Sequence, residues 1–249
     1  MDYKEEHLNS ILHTEHYEEL LTFYTDYFNC QYECIDFLYS ILCYEPQHSF
    51  EFFDGELCYL DSEKRVINDK VFIPKRMLNA VQRFVSVARD IDIIRPGDDP
   101  FKIIYLITCI EALQSMRCRT INNVNLRTKR QMRDDFFQSF TSPDDIDYII
   151  NHFERCRDNG TDLWVRNESS LQIFIDALGD IRNAAVHNGD CWEVLFPANN
   201  QCLIISIPDG KTNTRRSIYE NAITYEMLEK IFVRTCIRFI QQYIRDMHP

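Results

Sequence analysis

Residues 101–116 read FKIIYLITCIEALQSM, and this stretch decides the fold. A surface helix carries its apolar residues on one stripe, whereas a helix through this stretch is apolar on almost every side. Such a helix is typical of a protein interior. We therefore predict a mainly helical protein in which this helix is buried, with Asp98 or Asp99 capping its start.

Further helices are expected on both sides of this stretch. Pro74 suits the first turn of a helix that ends near Ile94, because Arg95-Pro96-Gly97 breaks the pattern. Apolar residues at helical spacing then predict four later helices. They cover about 127–139, Ser142 to Asn159-Gly160, about 168–187 and about 223–247.

Strands are expected in one place within this body. The segments CWEVLF (191–196) and CLIISI (202–207) are rich in β-branched, aromatic and other apolar residues and are separated by Pro197-Ala198-Asn199-Asn200. This pattern predicts a β-hairpin inserted between the last two helices. Residues 3–28 and 30–44 are predicted to be helices, and a short hairpin is predicted within 57–67.

Charge divides the chain into two parts. Residues 1–72 hold 16 acidic and 4 basic residues, which accounts for the whole net charge of −12, and the remainder holds 23 of each. We therefore predict an acidic, mostly helical N-terminal segment (1–72) and a helical domain (73–249). Within the latter, residues 112–133 contain no acid. Their basic residues are Arg117, Arg119, Arg127, Lys129, Arg130 and Arg133.

Several classes of protein fit the sequence poorly. Ten cysteines occur without a Cys-x-x-Cys pair or an N-terminal signal peptide, so we expect reduced thiols in a cytoplasmic protein and no metal site. No apolar run reaches the roughly 18 residues that a membrane span needs. Neither glycine-rich phosphate-binding motif is present, so no nucleotide cofactor is expected.

The helix predicted over 168–187 has two distinct faces. Leu171, Phe174, Leu178, Ile181 and Ala185 form an apolar stripe, while Asp176, Asp180, Asn183 and His187 form a polar one. The helix should end at Asn188-Gly189, since glycine favours the left-handed conformation that terminates helices. Arg182, Asn183 and His187 would then share its last turns. Their ordinary interpretation is that basic side chains simply face the free carbonyls at a helix end.

Glu111 is the only charged residue between Lys102 and Arg117. A carboxylate on so apolar a helix needs a partner if it is buried. We hypothesise that Glu111 approaches Arg182 or His187 and orients one of them. An exposed glutamate, or one paired with an amide group, is the alternative.

Residues Arg182-Asn183-x-x-x-His187 lie near a helix end, and an apolar helix containing IEAL precedes them in the chain. This pattern resembles that of the HEPN superfamily (higher eukaryotes and prokaryotes nucleotide-binding). The resemblance is to its Apea-like and abortive-infection ribonucleases and covers about 73–249. Glu111 matches the acidic position on an earlier helix of that family.

The resemblance implies a helical bundle that acts as a homodimeric, metal-independent endoribonuclease. Two such motifs would face one another, and the 2′-hydroxyl of RNA would attack the adjacent phosphorus to leave 2′,3′-cyclic phosphate ends. His187 would move protons, and Arg182 would stabilise the phosphoryl oxygens. Asn183 would hold the histidine ring or a phosphate oxygen. A role in phage defence or as a toxin follows from the same resemblance, with an antitoxin or regulatory protein as a partner to test.

The basic residues of 112–133 are the expected contacts to the RNA backbone, because Arg and Lys bind phosphates regardless of base sequence. A solvated helix face neutralised by Asp134 and Asp135 is the alternative. The inserted hairpin and the acidic segment 1–72 depart from the compact family pattern. A non-catalytic module of the same family, which binds nucleotide, RNA or a protein partner, is therefore the rival function.

Overall fold

In the computed structural model, the described residues are 14–42, 49–53, 56–60, 73–121, 125–126, 128–158, 164–187, 194–199, 201–208 and 216–247. They form eight α-helices and two small antiparallel sheets, so the prediction of a mainly helical protein is confirmed. The helices are α1 (Thr14–Thr25), α2 (Gln31–Leu42), α3 (Ile73–Ile94), α4 (Asp99–Thr120), α5 (Lys129–Phe140), α6 (Pro143–His152), α7 (Leu171–His187) and α8 (Tyr225–Met247). The strands are β1 (Ser49–Phe53), β2 (Glu56–Leu60), β3 (Phe153–Asp158), β4 (Trp164–Glu168), β5 (Leu203–Pro208) and β6 (Arg216–Asn221).

The chain divides into two compact units. One comprises Met1–Gln82 with Ile240–Pro249, and the other comprises Arg83–Phe239. The division between residues 72 and 73 that charge suggests stays a prediction. Within the described helices, none is both long and apolar enough to cross a membrane.

The first unit contains α1, α2 and the β1–β2 hairpin. Aromatic rings join the two helices, with Tyr24 and Phe37 packed edge to face at a centroid distance of 5.7 Å. The Tyr24 hydroxyl donates a 2.9 Å hydrogen bond to the carbonyl of Leu78. The strand at 57–60 is as predicted, but it pairs with the preceding residues 49–53. Residues 61–67 lie outside the described chain.

In the second unit, α4 packs against both α5 and α7. Its buried residues lie around much of its circumference, as the sequence predicts. They are Ile103, Leu106, Ile107, Cys109, Ile110, Leu113 and Gln114, together with Asp99, Pro100 and Lys102 near its start. The burial of an ordinary leucine or isoleucine contributes about 1.5–3 kcal/mol, so this helix is a main source of the unit's stability.

Helix α5 begins with a reciprocal cap. The Thr128 side chain accepts a hydrogen bond from the backbone N–H of Gln131, and the Gln131 side chain accepts one from the backbone of Thr128. This arrangement fixes the start of the helix and hence the position of Lys129. Phe136 and Phe137 are buried further along it, and Phe136 packs against Phe232 at 5.8 Å.

The larger sheet has the strand order β4-β3-β6-β5, with antiparallel neighbours. Two predictions are wrong here. The helix expected to reach Asn159-Gly160 ends at His152, and the chain continues as β3. The strand predicted over 202–207 is present, but it pairs with β6 instead of with CWEVLF, whose described residues 194–196 form no strand. Residues 191–193 lie outside the described chain.

Both errors have one physical cause, which is pairing between distant segments. Strand β6 lies between β3 and β5, and Tyr219 on β6 stacks on Phe153 with ring centroids 5.1 Å apart. The predictions assigned no strand to 216–221. Because strand formation depends on the partner, a missed strand leaves its two neighbours without the correct pairing.

Candidate functional site

The end of α7 carries the predicted polar residues. The helix runs to His187, as predicted, and the His187 side chain is exposed. Arg182 is partly buried and donates a 3.3 Å hydrogen bond from Nη1 to Oδ1 of Asn183. Asn188 and Gly189, the predicted termination signal, lie outside the described residues. The last turns of this helix therefore carry the exposed imidazole of His187 and the hydrogen-bonded pair of Arg182 and Asn183.

The opposite face of α7 fixes the helix in place. Phe174, Leu178, Ile181 and Ala185 are buried, which confirms most of the predicted apolar stripe. Ala184 is also buried, so the small residues of this turn do accommodate close neighbours. The helix contacts α4, α5 and α6 as well as strands β3 and β5. Arg182 and His187 are thus held on a helix anchored from several directions.

Glu111 has a different partner from the one predicted. Its side chain is 19% exposed, and Oε2 forms a 2.9 Å ion pair with Nζ of Lys129. The expected contact with Arg182 or His187 is wrong for the described chain. The physical reason is that α5 packs on α4, and the cap at Thr128 sets Lys129 at the start of α5. The second oxygen, Oε1, is buried without a hydrogen bond.

The basic residues of 112–133 do not form one free surface. Arg117 makes a 2.8 Å ion pair with Asp135 and lies over the rings of Phe140 and Phe239. Only 13% of its side chain is exposed. Because a cation packed in this way stabilises neighbouring helices, the structural alternative describes Arg117 better than RNA contact does.

The remaining basic residues differ in exposure. Arg119 is exposed at the last turn of α4. Lys129 and Arg130 keep 58% and 60% of their side chains exposed while pairing with Glu111 and Asp176. Arg127 lies outside the described residues. Exposed basic groups therefore remain at Arg119, Lys129 and Arg130.

Arg133 is the exception, because it is buried. Only 8% of the residue is exposed, and its guanidinium lies against the backbone of α7 at Gly179. A Cβ atom built at Gly179 would lie 2.8 Å from Cζ of Arg133. The Nε atom is buried without a hydrogen bond, and within the described chain no acidic residue forms an ion pair with this guanidinium.

Burial lowers the pKa of the Arg133 guanidinium, and the nearby Arg182 acts in the same direction. Asp134, Glu111 and Asp176 oppose this shift in pKa. Asp134 and Glu111 each affect the pKa of Arg133 more than Arg182 does. Arg133 was predicted as one of the contacts to the RNA backbone, and neither its burial nor the close approach of Gly179 was predicted. A glycine in the interior of a predicted helix was the available signal.

The cysteines and the acidic and histidine side chains of the described chain form neither a disulfide nor a metal-binding cluster. Among the described residues, no group of three or more His, Cys, Asp or Glu side chains could hold a metal ion. The seven described cysteines are free thiols, four of them buried. Comparison of the chain with protein-family models, with curated proteins and with solved structures found no match in any of the three.

Proposed function

We propose that this chain is a metal-independent endoribonuclease of the HEPN type. The observation that carries the proposal is the end of α7, where the exposed imidazole of His187 follows Arg182 and Asn183 within five residues and those two are hydrogen-bonded. Imidazole transfers protons near neutral pH, and guanidinium stabilises charge on phosphoryl oxygens. Both functions are needed to cleave RNA without a metal.

The reaction proceeds by internal attack. A base removes the proton of the ribose 2′-hydroxyl, and the oxygen forms a bond to the adjacent phosphorus. The bond from phosphorus to the 5′-oxygen breaks, and an acid protonates that oxygen. The products are a 2′,3′-cyclic phosphate and a 5′-hydroxyl. Arg182 stabilises the charge that develops on the non-bridging oxygens, and Asn183 orients Arg182 through the 3.3 Å hydrogen bond.

The reaction needs one base and one acid, and the end of α7 presents a single histidine. A two-fold symmetric homodimer in which two α7 ends face one another supplies the second group from the same residue. Glu111 contributes indirectly in this scheme, because its ion pair positions Lys129. Arg119, Lys129 and Arg130 contact the RNA backbone along its length. An antitoxin or regulatory protein is a candidate partner of this dimer, in phage defence or growth arrest.

The test is RNA cleavage in EDTA by the purified protein and three variants. His187→Ala and Arg182→Ala should each abolish cleavage while the proteins remain folded by circular dichroism. Arg238→Ala is the matched control, because it removes an exposed arginine from α8 and should leave the rate unchanged. Equal cleavage by all four proteins would refute the assignment. A wild-type protein that binds RNA but leaves it intact would favour the rival function of a non-catalytic module.

The dimer has its own test. A composite site needs the His187 side chains of both subunits, so a dimer of one wild-type and one His187→Ala subunit should be inactive. A lower cleavage rate when excess His187→Ala protein is mixed with a fixed amount of wild type, together with a dimer mass in solution, is the expected result. A monomer that cleaves RNA would refute the composite site but leave the role of His187 intact.

A further inference from the structure

Arg133 holds a buried positive charge for which the described residues supply no counter-charge in contact. A guanidinium has five N–H donors. Nε is sealed from solvent and makes no hydrogen bond, and the described hydrogen bonds and ion pairs include none from this side chain. An unpaired buried charge normally costs several kcal/mol. A group retained at such a cost commonly serves a ligand.

The acids around Arg133 are committed elsewhere. Glu111 is paired with Lys129 at 2.9 Å, and Asp176 is paired with Arg130 at 2.9 Å. Asp134 accepts a 3.1 Å hydrogen bond from Gln172. Each of these acids therefore has another ion-pair or hydrogen-bond partner, and all three act on Arg133 without contacting it.

A second guanidinium lies close by. Arg182 follows Gly179 by three residues, so the two positions are neighbours on the surface of α7. The Arg133 guanidinium rests on Gly179, and the positive charge of Arg182 acts on it. Arg133 of α5 thus contacts α7 one turn from Arg182, and no described acid forms an ion pair with either arginine. An anion bound there would pair with the Arg133 guanidinium and offset the effect of the Arg182 charge.

We propose that Arg133 and Arg182 form a subsite for a phosphodiester group of RNA, with Gly179 as its floor. The identification of the anion as RNA phosphate rests on the proposed function. A phosphate accepts paired hydrogen bonds from the planar guanidinium fork, which explains an arginine at position 133 better than a lysine. In this arrangement Arg133 binds the phosphate from one side. Arg182 binds it on the side of His187, at the end of α7.

Gly179 is required because any side chain there would enter the space that the guanidinium occupies. A Cβ at this position would lie 2.8 Å from Cζ and 3.3 Å from Nε of Arg133. Alanine at 179 should therefore displace the guanidinium without removing its charge. This gives two ways to disable the subsite, one chemical and one steric.

The test is binding in the absence of cleavage, with 2′-O-methyl RNA as the probe because it lacks the attacking hydroxyl. Arg133→Met and Gly179→Ala should each weaken binding by about tenfold or more, as expected for the loss of charge-assisted hydrogen bonds. Arg238→Met is the matched control and should change binding less than twofold.

Thermal unfolding separates a binding role from a structural one. Inorganic phosphate should raise the melting temperature of the wild type but not that of Arg133→Met. Without phosphate, Arg133→Met should be at least as stable as the wild type, because it removes an unpaired buried charge. A structural role predicts the opposite, namely a lower melting temperature with unchanged binding. If Arg133→Met does not fold, Gly179→Ala and Arg133→Lys provide the same comparison.

The outcomes distinguish this inference from the proposed function. If Arg133→Met binds and cleaves like the wild type while His187→Ala is inactive, the subsite is refuted and the ribonuclease stands. If 2′-O-methyl RNA binding depends on Arg133 but cleavage never depends on His187, the subsite stands and the ribonuclease falls. If inorganic phosphate binds but 2′-O-methyl RNA does not displace it, the assignment to a phosphodiester is refuted.

Discussion

Gly179→Ala tests quantitatively whether the Arg133 guanidinium packs against the backbone at Gly179. In an ordinary helix interior, replacing glycine by alanine stabilises the helix by about 1 kcal/mol, because alanine loses less backbone entropy on folding. At this position the new methyl group would lie 2.8 Å from Cζ of Arg133. The guanidinium must therefore move out of its buried place on α7.

The size of the effect follows from these opposing terms. Overpacking in a filled interior costs about 1–3 kcal/mol. With Arg133 present, Gly179→Ala should therefore change the free energy of unfolding by between roughly zero and a loss of 2 kcal/mol. In an Arg133→Ala background the obstruction is absent, and the same substitution should stabilise the protein by about 1 kcal/mol. The predicted coupling between the two positions is about 1–3 kcal/mol.

Urea unfolding of the four proteins in phosphate-free buffer measures this coupling as a double-mutant cycle. The expected result is that Gly179→Ala is neutral or destabilising in the first background and stabilising in the second. If the two effects agree within about 0.5 kcal/mol, as for independent sites, the guanidinium does not rest on Gly179. That result would refute both the described contact and the subsite built on it.

Three further predictions concern other parts of the fold. Thr128→Ala should lose about 1 kcal/mol of stability in thermal unfolding because the cap of α5 is lost, whereas Thr128→Ser should retain most of it. Asp145→Ala should lower the free energy of unfolding in urea by about 3 kcal/mol, because it removes the ion-pair partner of Arg234. The control Asp144→Ala changes an exposed residue and should cost little stability. Similar losses for the two variants would contradict the pairing. Burial raises the pKa of the Cys34 thiol to about 11, so its contribution to stability should be complete below the pKa of about 8.5 of an unfolded thiol and decline as pH rises toward 11. In urea unfolding midpoints measured between about pH 8.5 and 11, Cys34→Ala should reduce this decline. An equally steep decline in the variant would show that Cys34 is not its cause.

The long helices could be predicted because their signals are local. Pro74 and Arg95-Pro96-Gly97 bound α3, and α6 begins directly after Ser142, close to the predicted start. Helix α4 was recognisable because its apolar residues lie on nearly every side. Such features depend on residues within a few turns of each other, so the sequence alone reveals them.

The sheet was harder to predict because its central pairing joins distant segments. Residues Phe153–Asp158 follow a helix directly and become a strand by pairing with Arg216–Asn221. Neither segment shows strict alternation over its length, and β3 contains an irregularity between Arg155 and Cys156. A strand that depends on a partner about sixty residues away gives a weak local signal.

The candidate site divides in the same way. The last turns of α7 could be predicted from periodicity, whereas the partner of Glu111 could not. A single sequence does not show that Lys129 reaches Glu111 or that Arg133 lies on Gly179. Both contacts depend on how α4, α5 and α7 pack against each other, and packing is a property of the folded chain.

The proposed function requires His187 to transfer protons during metal-independent RNA cleavage. Its most direct test is analysis of the ends of a ribo-oligonucleotide incubated in EDTA with wild-type or His187→Ala protein. We expect 2′,3′-cyclic phosphate and 5′-hydroxyl ends from the wild type, and a loss of at least about a hundredfold in rate for the variant. Cleavage by His187→Ala at the wild-type rate, or products with 5′-phosphate ends, would contradict it.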